Sequence, residues 1–250
     1  MSIETLLAHA RGLWEGLARV PVSFSPGCID VVVSPESQMC PPGWAGVVIL
    51  QGSAIVTAPS PVAAEIIQTA TARFSVVEVA VAERLGEVLP VADVLGPAVL
   101  AYTDEELFHP ASVDASMIEC APPEDSTLNE LTVSAGAADT AESGLNEITS
   151  AAFTVRSGER IVSAAGYRAW PKHTAHISVL TAPDYRGNGL ARLTAGAAVS
   201  HALADGLTPQ WRARTPQSLR VASALGFHEL GIQMSVRLET GDEVESITRG

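Results

Sequence analysis

Between a β-branched run ending at Thr181 and an apolar helical pattern starting at Gly189 lies the segment Arg186-Gly187-Asn188-Gly189-Leu190-Ala191-Arg192. A strand, a turn at Ala182-Pro183-Asp184 and an immediate helix aim several backbone N–H groups and a helix dipole at one point, which makes an anion site. Gly187 and Gly189 let the main chain come close to a phosphate without a Cβ in the way. Arg186 brings a formal charge and Arg192 a second. The chemistry indicated is the holding of a phosphorylated cofactor. Neither common nucleotide fingerprint fits, because the dinucleotide pattern needs glycine where Arg192 stands and a P-loop needs Gly-Lys-Ser/Thr.

The spacing does match Q/R-x-x-G-x-G/A, with Arg186, Gly189 and Ala191 at the defining places, and Val179 to Gly187 supplies a strand and a Pro-acidic-Tyr turn before it. Further on, Ser218 to Phe227 contains a helix and a Gly226-Phe227 step. On these residues, segment 113–240 resembles the GNAT superfamily of acyl-CoA-dependent N-acetyltransferases. The resemblance implies acetyl-CoA as acyl donor and no metal. Val179, Leu180 and Thr181 would contact pantetheine and the acyl group through the main chain. Arg186, Gly187, Asn188, Gly189, Leu190, Ala191 and Arg192 would hold the pyrophosphate, and Ser218 would belong to the second cofactor-contacting motif. The implied reaction is direct attack of a primary amine, from a small molecule or peptide, on the thioester, with a backbone N–H near Val179 or Leu180 stabilising the oxyanion.

An amine is mostly protonated at neutral pH, so a general base is useful. Glu147, His173 and His176 are the candidates, with His176 the best placed on the strand entering the cofactor site. The chain departs from the commoner pattern at the leaving-group acid: Val221 and Ala222 stand where many members carry a tyrosine, and Thr215 replaces the usual asparagine at the start of that helix. Tyr167 and Tyr185 are alternative acids. The departure also motivates a second reading, a non-catalytic acyl-CoA-binding or regulatory module.

The elements that must position these groups form a mixed α/β chain. A GNAT-type domain, a mostly antiparallel mixed sheet flanked by helices, is expected over 113–240, after an α/β domain over 1–112 and before a polar tail over 241–250. A degenerate half of the same family, or an interaction or dimerisation domain, is compatible with 1–112. No internal repeat supports a duplication.

Helices are expected near 1–17, 61–74, 75–89, 123–144, 189–204 and 216–225. Strands are expected near 46–50, 54–58, 97–102, 117–120, 153–155, 161–167, 176–181, 210–214 and 233–238, with a hairpin turn at Ser157-Gly158 and a linker over 103–115.

Composition bounds the rest. The 250 residues are 47% hydrophobic with aromatics at 5%, so packing relies on small aliphatic side chains. A formal charge of -13 disfavours nucleic acid and anionic membranes. Residues before 112 include 4 basic and 12 acidic side chains and those after it 11 and 16, which puts most arginines beside the proposed cofactor; the acidic balance favours a cationic acceptor. Cys28, Cys40 and Cys120 lack metal or disulfide spacing and read as reduced, buried thiols in a cytoplasmic protein. The first 17 residues form an amphipathic helix rather than a targeting signal, and no apolar run is long enough to span a membrane.

Overall fold

The computed structural model describes residues 2–111 and 117–239. They form two compact units, one of residues 7–100 and 230–239, the other of residues 2–6 and 101–229. The sequence places a boundary near 112, whereas compactness divides the chain near 100 and returns its last strand to the first unit. The expected tail over 241–250 lies outside the described residues.

The first unit contains most of α1 (Ile3–Leu17), then β1 (Ile29–Val33), β2 (Ala45–Leu50), β3 (Ser53–Ala58), α2 (Pro61–Thr71), α3 (Ala82–Gly86), β4 (Val91–Tyr102) and β10 (His228–Leu238). Its strands run in the order β1-β3-β2-β10-β4. β2 and β3 pair through Leu50 and Ser53 around a two-residue turn in which Gln51 and Gly52 both have positive φ, the conformation that matches strand twist. Every residue of both strands is buried. α2 starts where Ser60 accepts a hydrogen bond from the Ala63 N–H and Pro61 takes a position that needs no donor.

Two expectations change, one in this unit and one with a cysteine in each unit. Ser75 to Leu89 is not one helix but a 3-10 turn, Glu78–Ala80, followed by the short α3. Val76, Val77, Val79 and Val81 crowd a helical turn, and Val79, Leu85 and Leu89 reach the core from the broken form. Cys28 and Cys120 are exposed rather than buried, because one follows the Gly27 turn and the other lies on the three-residue strand β5 (Glu119–Ala121).

The second unit continues with α4 (Ser126–Ala135), α5 (Ala137–Ser143), β6 (Ala152–Ser157), β7 (Arg160–Trp170), β8 (Thr174–Thr181), α6 (Leu190–Ala204), β9 (Thr208–Ala213) and α7 (Pro216–Ala224). The helical stretch expected over 123–144 is split at Gly136. Strand order is β9-β8-β7-β6-β5. All neighbours are antiparallel except β8 and β9, so this is a mixed, mostly antiparallel sheet with helices on it.

Alternation along β7 and β8 gives each face its own core. Ala165, Tyr167 and Ile177 pack with Ala195, Ala198 and Val199 of α6, whose small side chains suit an aromatic-poor composition. Ala164 and Leu180 pack on the other face with Leu128 and Leu131 of α4. The expected linker begins with buried residues: the Thr103 hydroxyl donates to the Gly226 carbonyl, and one Asp104 oxygen accepts from the Glu106 and Leu107 N–H groups. Among the described residues no helix is long and apolar enough to cross a membrane.

Candidate functional site

The Gly-rich segment turns the chain from β8 into α6. After a 3-10 turn at Pro183–Tyr185, Gly187 and Gly189 have φ of 80° and 77°. A Cβ at either place would meet nothing within 4 Å, so here glycine is required by conformation rather than by crowding. Gly189 caps α6 without a side chain, which leaves the first-turn amides, those of Leu190, Ala191 and Arg192, to an external acceptor.

Side chains brace this turn. Arg186 donates from Nε to the Thr181 carbonyl at 3.2 Å and from Nη2 to Asp139 at 2.6 Å, and Asn188 donates to the Tyr185 carbonyl. Arg192 is half-buried, and its Nε has no partner among the described residues. An orphaned guanidinium nitrogen, free amides and a helix N-terminus are what a pyrophosphate needs.

β8 and β9 run parallel in register from Thr174–Thr208 to His176–Gln210, and the registered pairing ends there although β8 continues to Thr181. The Ala182 N–H donates to the Val162 carbonyl, so by alternation Leu180 and Ser178 exchange hydrogen bonds with β7 while Ile177, Val179 and Thr181 turn their peptide groups toward β9. The His173 carbonyl, which accepts from the Thr208 N–H, obeys the same parity. Past the last registered pair, the Val179 N–H and C=O are turned to the β9 side.

By the same parity Leu180 is turned to β7, and the Thr181 carbonyl accepts from Arg186 Nε.

His176 pairs across the sheet with Arg168 on β7 and Gln210 on β9. Its Nδ1 lies 2.5 Å from Gln210 Oε1. Because that oxygen only accepts, Nδ1 carries the proton and Nε2 the lone pair. The ring stacks on Trp170 with centroids 4.4 Å apart. Burial first, then Arg212, and also Arg168, push the imidazole down to about 3, so it is neutral and weakly basic.

Glu147, in the 3-10 turn Leu145–Glu147, is exposed and paired with Arg168 at 2.6 Å. It is joined to the His176 neighbourhood through that arginine. His173 sits exposed in the turn at the opposite end of β8 from the Gly-rich loop, with positive φ.

The other candidates have partners within the fold. The Tyr167 hydroxyl donates to Asp205 at 2.8 Å under α6, and burial together with that carboxylate raises its pKa. Tyr185 donates to Ser157. Ser218 accepts the Trp211 Nε1–H at 2.9 Å. Ala222 is fully buried beside Leu225 and Phe227.

Sequence reasoning did not single out Arg168, Trp170, Gln210 and Arg212, because their meeting is a matter of register. Their alternation along β7 and β9 was the available signal.

Residues 150–231 match the family model described as GNAT acetyltransferase. No curated protein matches the chain. Among solved structures, an acetyltransferase of the GNAT family from Novosphingobium aromaticivorans is similar at 23% identity and a TM-score of 0.45, over 58% of this chain and 65% of that one. A GCN5-related N-acetyltransferase from Kribbella flavida is similar at 15% identity and 0.47, over 66% of each chain. A GCN5-related N-acetyltransferase-like protein from Streptococcus suis is similar at 17% identity and 0.44, over 94% of this chain and 99% of that one. The alignment spans less than two thirds of the first of these relatives.

Proposed function

We propose that this chain, a member of the GNAT acetyltransferase superfamily through residues 150–231, transfers an acetyl group from acetyl-CoA to a primary amine of a small molecule or peptide. The observation that carries the reading is the end of registered β8–β9 pairing at His176–Gln210, beyond which the Val179 peptide is turned to the β9 side, on the strand that leads into the N-terminus of α6, which has no side-chain cap. Bound acetyl-CoA would supply an acyl carbon activated as a thioester: the C–S bond breaks as the amide C–N bond forms, and the proton lost by the amine is matched by the one that the departing thiolate takes up to become free thiol.

Each part of the chain then has a task. The first-turn amides of α6 and Arg192 hold the pyrophosphate. Arg186, tied to Thr181 and Asp139, fixes the loop against the strand end. The Val179 N–H holds the acyl oxygen, a fixed dipole that needs no rearrangement as charge grows there.

Proton removal follows from the pKa ordering. An alkylammonium near 10 facing an imidazole pushed down to about 3 is mismatched by several units, each costing about 1.4 kcal/mol. His176 therefore serves as an acceptor that orients an already neutral amine through Nε2, and the rate follows the neutral-amine fraction set by solution pH.

A second reading, a non-catalytic acyl-CoA-binding module, is favoured by buried Ala222 and by the weak basicity of His176. The deciding experiment mixes the protein with acetyl-CoA and a panel of amines and follows free thiol. Amine-dependent thiol release supports transfer. Calorimetric binding of acetyl-CoA without thiol release from any amine supports the binder.

A further inference from the structure

Resting on the acyl-transfer reading, we infer that the acceptor is a small amine carrying a carboxylate, and that Arg212 is the residue that binds that carboxylate beside the acyl site. Three arginines and two glutamates meet on this face of the second unit. Arg168 is taken by Glu147 at 2.6 Å and Arg214 by Glu142 at 2.7 Å. Arg212 lies between these pairs in charge terms, acted on by Glu142, Glu147 and Arg214, yet its side chain makes no hydrogen bond among the described residues. It is half-buried, and a partly desolvated guanidinium gains from a hydrogen-bonded anion that takes up its planar fork.

Position adds to charge. Arg212 is two residues beyond Gln210, the last β9 residue in register with β8, so it shares the face of Gln210 and His176 and stands just past the last registered pair, on the strand toward which the Val179 peptide turns. His176, its neighbour, is neutral and contributes no charge. The local balance is thus one uncompensated cation in a chain whose total is -13, and the planar fork of arginine suits a carboxylate. This local charge overrides the cationic acceptor that the overall composition favours.

The test pairs each amino acid with its decarboxylated amine, glycine with methylamine and phenylalanine with phenethylamine, in the thiol-release assay. Wild type is expected to prefer the carboxylated member at least tenfold in kcat/KM. Arg212→Met should erase the preference and Arg212→Lys keep part of it, with acetyl-CoA affinity by calorimetry unchanged in both.

A binding arm is independent of turnover. N-acetylglycine should raise the melting temperature of wild type and not of Arg212→Met, whereas N-methylacetamide should affect neither. Equal turnover of both members of each pair, or no melting shift with N-acetylglycine, overturns the assignment. A carboxylate-dependent shift that is lost in Arg212→Met, together with no thiol release from any amine, upholds Arg212 as the carboxylate site and overturns catalysis instead.

Discussion

His176 Nδ1 and Gln210 Oε1 lie 2.5 Å apart across the last registered pair of β8 and β9. This contact fixes the imidazole tautomer at the point where the two strands stop pairing. Gln210 is fully buried and donates its own Nε2–H to the Trp211 carbonyl, so its orientation is set and with it that of His176.

The neutrality of His176 has a signature in stability. Its folded pKa, about 3, is below the ordinary 6.5, so the unfolded chain takes up this proton first as pH falls. The unfolding free energy should drop between about pH 6.5 and pH 3 by up to about 1.4 kcal/mol per unit from this group, and be flat on either side. His176→Gln should remove that component. Identical pH dependence of denaturant midpoints in wild type and variant would show that the imidazole is not held neutral.

Gly189 separates conformation from charge. Its φ of 77° is one that asparagine tolerates and that costs other residues about 1 kcal/mol. Gly189→Asp should weaken acetyl-CoA binding at least a hundredfold, by adding a carboxylate at the N-terminus of α6, while Gly189→Asn should lose tenfold or less. Calorimetry with acetyl-CoA reads both, and equal affinity for wild type and Gly189→Asp would remove the loop from the cofactor site.

Restoring the absent tyrosine is not expected to help. Ala222 is fully buried in the cluster of Trp211, Leu225 and Phe227, where added volume costs about 1–3 kcal/mol. Ala222→Tyr should lower the melting temperature without raising kcat. A faster variant would mean that this position opens to the leaving thiolate.

Gly226 is held by its surroundings as well as by its φ of 85°. A Cβ there would lie 1.8 Å from the Leu107 carbonyl oxygen. Gly226→Ala should destabilise the chain by about 3 kcal/mol or more, read as a lower urea midpoint; a change below about 1 kcal/mol would show that the Leu107 segment can move aside.

Local signals carried much of this architecture. The glycines of the loop, the Ser157-Gly158 hairpin, the small-residue pattern of α6 and the Gly226 stop each report on neighbours a few residues away, and each appears in the fold. β1 went unread although Ile29 to Val33 is rich in β-branched residues, because its partner β3 lies far along the chain. Arg168, His176 and Gln210 likewise become neighbours only through register, which is set by non-local pairing. Arg212 offered a charge in the sequence but not the arrangement in which the nearby carboxylates are already engaged by other arginines.

The place of β10 between β2 and β4 governs when the first unit can be completed. Nearly all its other strands are made early in synthesis, yet residues 228–238 must join them in the middle of the sheet. Until those residues leave the ribosome, β2 and β4 lack their shared neighbour and keep open edges, which invite mispairing. The unit whose strands are made first is thus the one whose sheet closes last, after every strand of the other unit has been translated.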